Sequence, residues 1–161
     1  MRTPLVPPPV WMLLCGFLMW TLHRYGPVLR IVPGHWNRAG WLLMAIAAIP
    51  PSAAFIEFRR AHTTANPHMP GAARSLVTSG VYAWTRNPMY LGLSILLLGW
   101  AIQLGTLSPC AGPVLFALII RFAQIEPEER ALRTRFPAEY AAYCRSVHRW
   151  IGRRRRSTPL R

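Results

Sequence analysis

Apolar residues along the chain fall into four long runs separated by polar, arginine-bearing segments, an alternation that predicts a bundle of helices rather than a sheet. Val10–Leu22 is almost continuously apolar, with Trp11 and Trp20 near its ends. With Leu5 and Val6 the run reaches about eighteen residues, close to the ~20 that cross a ~30 Å hydrocarbon core. His23-Arg24-Tyr25 follows and offers no small-residue cleavage site, so an uncleaved anchor is expected instead of a signal peptide. A loop with Pro27, Pro33 and Gly34 leads to the second run, Ala39–Phe58, which Pro50-Pro51 interrupts. Neighbouring helices absorb such a break in a membrane bundle, so a kinked span is predicted, with Glu57 to Arg60 as its solvated exit. Met89–Thr106 and Pro109–Ile125 are the third and fourth runs, joined by Leu107-Ser108 as an antiparallel hairpin. At 1.5 Å per residue, an arm of about eighteen residues covers about 27 Å, so the hairpin returns the chain to the side it left.

Between these runs lie the segments with chemistry. Ala61–Ser75 is a turn-rich loop; its His62 and His68 match no metal-site spacing, so no metal is expected. Leu76–Tyr90 reads LVTSGVYAWTRNPMY. Gly80 permits a tight path, and Pro88 pushes Asn87 toward extended geometry, which predicts a shaped loop. Tyr82, Trp84, Tyr90 and Arg86 suit either a headgroup-level belt or a ligand-wrapping loop. Downstream, Leu132, Phe136, Tyr140, Tyr143 and Val147 recur at helical spacing, with Pro137 dividing the helix in two. The hairpin brings Glu128-Glu129 to the face that carries Tyr82–Tyr90. Glutamates behind Pro127 also suit a helix first turn, so a capping role stands beside a ligand role.

Composition sharpens the membrane reading. Of 161 residues, 52% are hydrophobic and the mean hydropathy is +0.21, high for a soluble domain. All 19 basic residues are arginine, opposed by five glutamates, for a net charge of +14. Such basicity suits nucleic acid or anionic membrane; the arginines flank apolar runs and no nucleic-acid motif is present, so the membrane is favoured. Four crossings would leave Arg24, Arg30 and Arg38 on one side and the other sixteen arginines on the other, which predicts cytoplasmic termini. The tail, Arg149–Arg161 with Arg153–Arg156, is expected to be disordered and held at anionic headgroups. Cys15, Cys110 and Cys144 are far apart and are expected as free thiols.

Gly80-Val81-Tyr82, Arg86-Asn87-Pro88-Met89-Tyr90 and Glu128-Glu129 ahead of Tyr140 and Tyr143 resemble, in order and spacing, the signature of the isoprenylcysteine carboxyl methyltransferase family and its phospholipid methyltransferase relatives. The resemblance covers Leu76 to Trp150. It implies an all-α integral membrane protein of about four transmembrane helices, organised as N-terminal spans (1–60), a catalytic region (61–150) and a basic tail (151–161). It further implies S-adenosyl-L-methionine held on the cytoplasmic side by Leu76, Val77, Tyr82, Asn87, Pro88, Met89, Tyr90, Glu128 and Glu129. Arg86, Asn87 and Glu128 are then the catalytic positions, and Arg74 and Ser75 are weaker candidates for cofactor contact. The sequence departs from the pattern twice. Asn87 stands where the family has a histidine, and Gln124, with Arg121 and Arg130 nearby, stands where the prenylcysteine enzymes grip the substrate carboxylate. The implied acceptor is a membrane lipid or lipid-modified molecule. A phospholipid amine acceptor, and a non-catalytic or nicotinamide-dependent sterol-reductase-like relative, are the alternatives.

Overall fold

A computed structural model describes residues 6–61 and 75–153, and among these it is helical, with isolated bridges but no strand. His62, His68, Arg74 and Arg154–Arg156 lie outside the described residues. Helix α1 is Pro8–Tyr25, with prolines in its first turn, where a missing N–H costs nothing. A 3-10 turn at Trp36–Arg38 opens a continuous helix, Trp36–Arg60, made of α2 (Ala39–Ile46) and α3 (Ile49–Arg60). The bend between them falls at Ala47 and Ala48, just before Pro50 and Pro51, because the prolines cannot donate to the carbonyls of Ile46 and Ala47.

The bend is stabilised by close packing on α4 (Pro88–Leu104). A Cβ added at Gly92 would lie 2.7 Å from both the Ala47 carbonyl oxygen and Pro51 Cδ. One turn pair away, a Cβ at Gly40 would lie 2.5 Å from the Gly99 carbonyl oxygen, and one at Gly99 would lie 2.6 Å from Met44 Cγ. The two backbones therefore touch where small residues face each other, as in helix pairs that associate without a hydrophobic drive.

Helix α4 ends at Gly105, whose φ of 76° requires glycine, and whose carbonyl accepts the N–H groups of Ile31 (3.0 Å) and Val32 (3.1 Å). A 3-10 turn, Ser108–Cys110, then starts a second continuous helix, Ser108–Arg135. It contains α5 (Ala111–Ile120), a π-helical stretch at Arg121–Ile125 and α6 (Glu126–Arg135). Its 28 residues rise about 42 Å, so α6 extends past the length of a hydrocarbon core, to the level where α4 begins. Phe136 breaks the helix before Pro137, and α7 (Pro137–Ser146) folds back on α6.

Among the described residues two helices, Trp36–Arg60 and Ser108–Arg135, are long and apolar enough to cross a membrane; α4 is apolar but shorter. In the most apolar window of Trp36–Arg60 only 17% is buried, so most of its hydrophobic surface faces outward. Exposed Leu13 and Phe17 on α1, Trp41, Leu42 and Phe55 on the second helix and Val114 and Leu118 on α5 extend that surface, an area of apolar exposure suited to lipid.

Burial divides into two clusters. Cys15, Met19, Leu97, Phe116 and Ile120 form the centre of the bundle, while Ala54, Tyr82, Tyr140, Tyr143 and Val147 form a head over the starts of α4 and α6. The amphipathic face of α7 thus packs on the aromatic loop.

Candidate functional site

The loop before α4 owes its shape to a few specific contacts. Ser79 is extended, Gly80 takes φ 56°, and a 3-10 turn follows at Gly80–Ala83. Glu57 holds this turn by accepting a hydrogen bond from Ser79 Oγ at 2.6 Å. It is therefore more than the solvated boundary expected from its sequence position. A Cβ at Gly80 would collide with that same carboxylate, at 2.5 Å from Cδ. Asn87 then caps α4, so Pro88, Met89 and Tyr90 belong to the helix's first turn and not to the loop, a boundary that proline at the first position sets.

A cavity of about 600 Å³, within the usual range for small-molecule sites, opens between this loop, α2–α3, α4 and α6. Leu76, Val77, Tyr82, Arg86, Asn87, Pro88, Met89, Tyr90, Glu128 and Glu129 all line it. Gln124 and Arg121 do not. Gln124 is buried in the π-helical stretch, its Nε2 donating to the Val6 carbonyl at 2.9 Å, which ties the Pro7–Pro9 lip of the cavity to the fourth apolar run. Arg121 points outward and pairs with Glu126 at 3.1 Å. Ser75 and Phe58 also line the wall.

The neighbouring glutamates have different surroundings. Glu128 is half-buried and accepts a hydrogen bond from Tyr90 Oη at 2.5 Å; among the described residues it has no ion pair. Glu129 is 5% exposed and collects three arginines: Arg149 through two hydrogen bonds (3.0 and 2.8 Å), Arg86 at 3.3 Å and Arg133 at 3.4 Å. Its hydrogen bond holds the Arg149 guanidinium above the ordinary arginine pKa. Arg86 reaches Tyr140 Oη (3.2 Å) and Cys144 Sγ (2.6 Å) with the same nitrogen, while its buried Nε has no partner among the described residues. Burial pushes the phenols of Tyr82, Tyr140 and Tyr143 well above the usual tyrosine range, so they keep their protons; Tyr143 Oη donates to the Tyr82 carbonyl at 2.7 Å.

The C-terminal segment was the part of the site that sequence reasoning missed. Instead of starting a disordered tail at Arg149, residues 147–153 fold into a strap over the loop. The Arg149 carbonyl accepts from Asn87 Nδ2 at 2.9 Å, the His148 carbonyl from the Arg86 N–H at 3.3 Å, and Gly152 N–H donates to the Trp84 carbonyl at 2.7 Å. Gly152, with φ 109°, makes the reversal possible. That glycine between Ile151 and the arginine run was the available sequence signal.

The fold and cavity define a helical protein with an exposed apolar surface and a pocket of small-molecule size near one end of its bundle. The phospholipid methyltransferase family matches residues 36–139, about two thirds of the chain, and the protein belongs to that family, which is related to the isoprenylcysteine carboxyl methyltransferases. It is thus a methyltransferase of the phospholipid and isoprenylcysteine type. A Haemophilus influenzae protein described only as uncharacterized is 40% identical over 63 residues, 39% of this chain and the whole of that relative.

Proposed function

We propose that this protein is a multi-pass membrane methyltransferase that uses S-adenosyl-L-methionine and modifies a lipid or lipid-modified acceptor entering from the bilayer. The observation that carries the reading is convergence: Tyr90 and Glu128, 38 residues apart, meet in one cavity with the other loop residues of the signature. Four crossings, by α1, Trp36–Arg60, α4 and Ser108–Arg135, with both termini cytoplasmic, fit the arginine distribution, and Trp36–Arg60 and Ser108–Arg135 have the length and apolar character for two of them. The basic tail then lies against anionic headgroups, and nucleic acid is not a partner.

The residues present suit this cofactor. Glu128 offers an acceptor for a ribose diol or ammonium, the unpartnered Arg86 Nε–H offers a donor for a carboxylate, and Phe58, Tyr82, Tyr90 and Tyr143 surround the space with rings that favour a sulfonium cation. When bound, S-adenosyl-L-methionine supplies a methyl on sulfur, whose C–S bond breaks with the electron pair leaving on sulfur as the acceptor–methyl bond forms. The chain's own part is to hold the acceptor in line and to exclude water, which the apolar arm of the cavity at Pro8, Met44, Pro51, Leu93 and Leu96 favours. A carboxylate or thiolate acceptor needs nothing more. An amine acceptor must also lose a proton, and Glu128, on the wall and without an ion pair among the described residues, supports that second reading by offering a base.

Calorimetric titration of the purified protein with S-adenosylhomocysteine tests the cofactor, and labelled methyl transfer into a membrane lipid extract tests the acceptor. Micromolar binding and a labelled lipid are expected. Absence of binding by folded protein refutes the reading in favour of a non-catalytic or nicotinamide-dependent relative, and label in a phosphoethanolamine headgroup selects the amine.

A further inference from the structure

Behind Arg86, on the far side from the first cavity, lies a second of about 540 Å³, lined by Arg86, Arg121, His148, Arg149, Trp150 and Ile151. We propose that this cavity binds the phosphate of an anionic phospholipid headgroup. Three guanidinium groups line it, and two carboxylates, Glu129 and Glu126, oppose them. Glu129 is in addition shared with Arg133, so the wall keeps net positive charge before His148 is counted. Planar guanidinium forks match phosphate oxygens in pairs.

The depth of the cavity selects a lipid as the source of the phosphate. Arg121 sits where the apolar helix α5 ends, and Phe122 and Ile151 beside it are 60% and 67% exposed, so apolar side chains flank a cationic mouth. That pairing is the pattern of headgroup depth, where acyl chains meet phosphates. The Arg121 guanidinium lies over the Phe122 ring, 5.2 Å from its centroid, so charge and apolar surface are side by side at this mouth. Its present partner, Glu126, makes an exposed pair of the kind that contributes little and exchanges readily. Trp150, packed against the central core of the bundle, anchors the strap that forms the other wall.

The strap also links the two cavities. His148 and Arg149 line the second cavity, while their carbonyls accept from the Arg86 N–H and the Asn87 side-chain amide, two residues that line the first. A lipid phosphate bound there braces the loop that the proposed cofactor uses, yet the site itself stands whether or not the first cavity binds that cofactor.

The test uses the full chain with Arg154, Arg155 and Arg156 changed to Gln, so that the tail does not contribute, in phosphatidylcholine nanodiscs. Native mass spectrometry then counts retained phosphatidylglycerol, with soluble glycerol 3-phosphate as a parallel arm. One retained phosphatidylglycerol is expected, with at least tenfold weaker retention in both Arg121→Gln and His148→Gln. Both substitutions are at exposed positions, and an unchanged melting temperature confirms each fold. Glycerol 3-phosphate should bind at least tenfold more weakly than the lipid. Retention unaffected by either substitution, retention abolished by the tail changes alone, or equal affinity for glycerol 3-phosphate each overturns the assignment. No cofactor enters this measurement, so its failure is distinct from a failure of the methyltransferase reading.

Discussion

Substituting Glu128 and Glu129 separately should give crossed effects, because two residues adjacent in sequence do different work. In Glu129→Gln the side chain keeps its size and loses its charge. Arg133 and Arg149, with side chains 61% and 25% exposed, can turn toward water. Arg86, 9% exposed, cannot, and is left a buried cation without a carboxylate, its acceptors being Tyr140 Oη, Cys144 Sγ and the amide oxygen that replaces the carboxylate. Breaking a buried pair from one side costs about 3–5 kcal/mol. At roughly 2–4 °C per kcal/mol for a chain of this size, the melting temperature should fall on the order of 10 °C. Glu128→Gln keeps an oxygen for Tyr90 to donate to and orphans no cation, so stability should change little. Its affinity for S-adenosylhomocysteine should fall by about 1.5–3 kcal/mol, roughly tenfold to a hundredfold, the worth of a hydrogen bond to a charged acceptor. Thermal unfolding in detergent and calorimetry read the two axes, with Arg133→Gln as a surface control that should cost no more than about 1 kcal/mol. If Glu128→Gln binds as tightly as the parent and melts lower, Glu128 is a capping residue; if Glu129→Gln melts with the parent, the buried arginine cluster does not support the loop.

Asn87→His should retain cofactor binding, because imidazole Nδ1–H occupies the place of the Asn Nδ2–H that donates to the Arg149 carbonyl, and the rest of the ring can extend into the cavity; calorimetry showing loss of binding in a folded variant would contradict this. Gly99→Ala should lower stability by about 1–3 kcal/mol, since its Cβ meets Met44 Cγ at 2.6 Å and the Gly40 carbonyl oxygen at 2.8 Å; an unchanged melting temperature would show that α2 and α4 separate freely. A reporter fused after Arg161 should read out as cytoplasmic, and an external readout would refute the four-crossing topology.

Sequence alone determined the helical character, the hairpin of α4 and α5, the kink near Pro50, the break at Pro137 and the identity of the loop residues that line the first cavity. Each of these is written locally: apolar runs of membrane length, prolines that remove donors, and a signature of aromatic, glycine and arginine positions at short range. The tertiary structure decided what local pattern cannot carry. It distinguished Glu128 from Glu129, because only the fold shows which carboxylate gathers arginines from three other positions and which faces Tyr90. It set Gln124 against the Val6 carbonyl and left Arg121 beside a second cavity, since a π-helical stretch at Arg121–Ile125 changes which side each residue presents. It also turned Arg149–Arg153 from an expected tail into part of a strap, through backbone hydrogen bonds from the segment to Trp84 and Arg86, partners some sixty residues away that no local pattern names. Periodicity reports the face a residue turns to its neighbours along one element, whereas a site is made of contacts between elements, and those energies are settled only when the whole chain has packed.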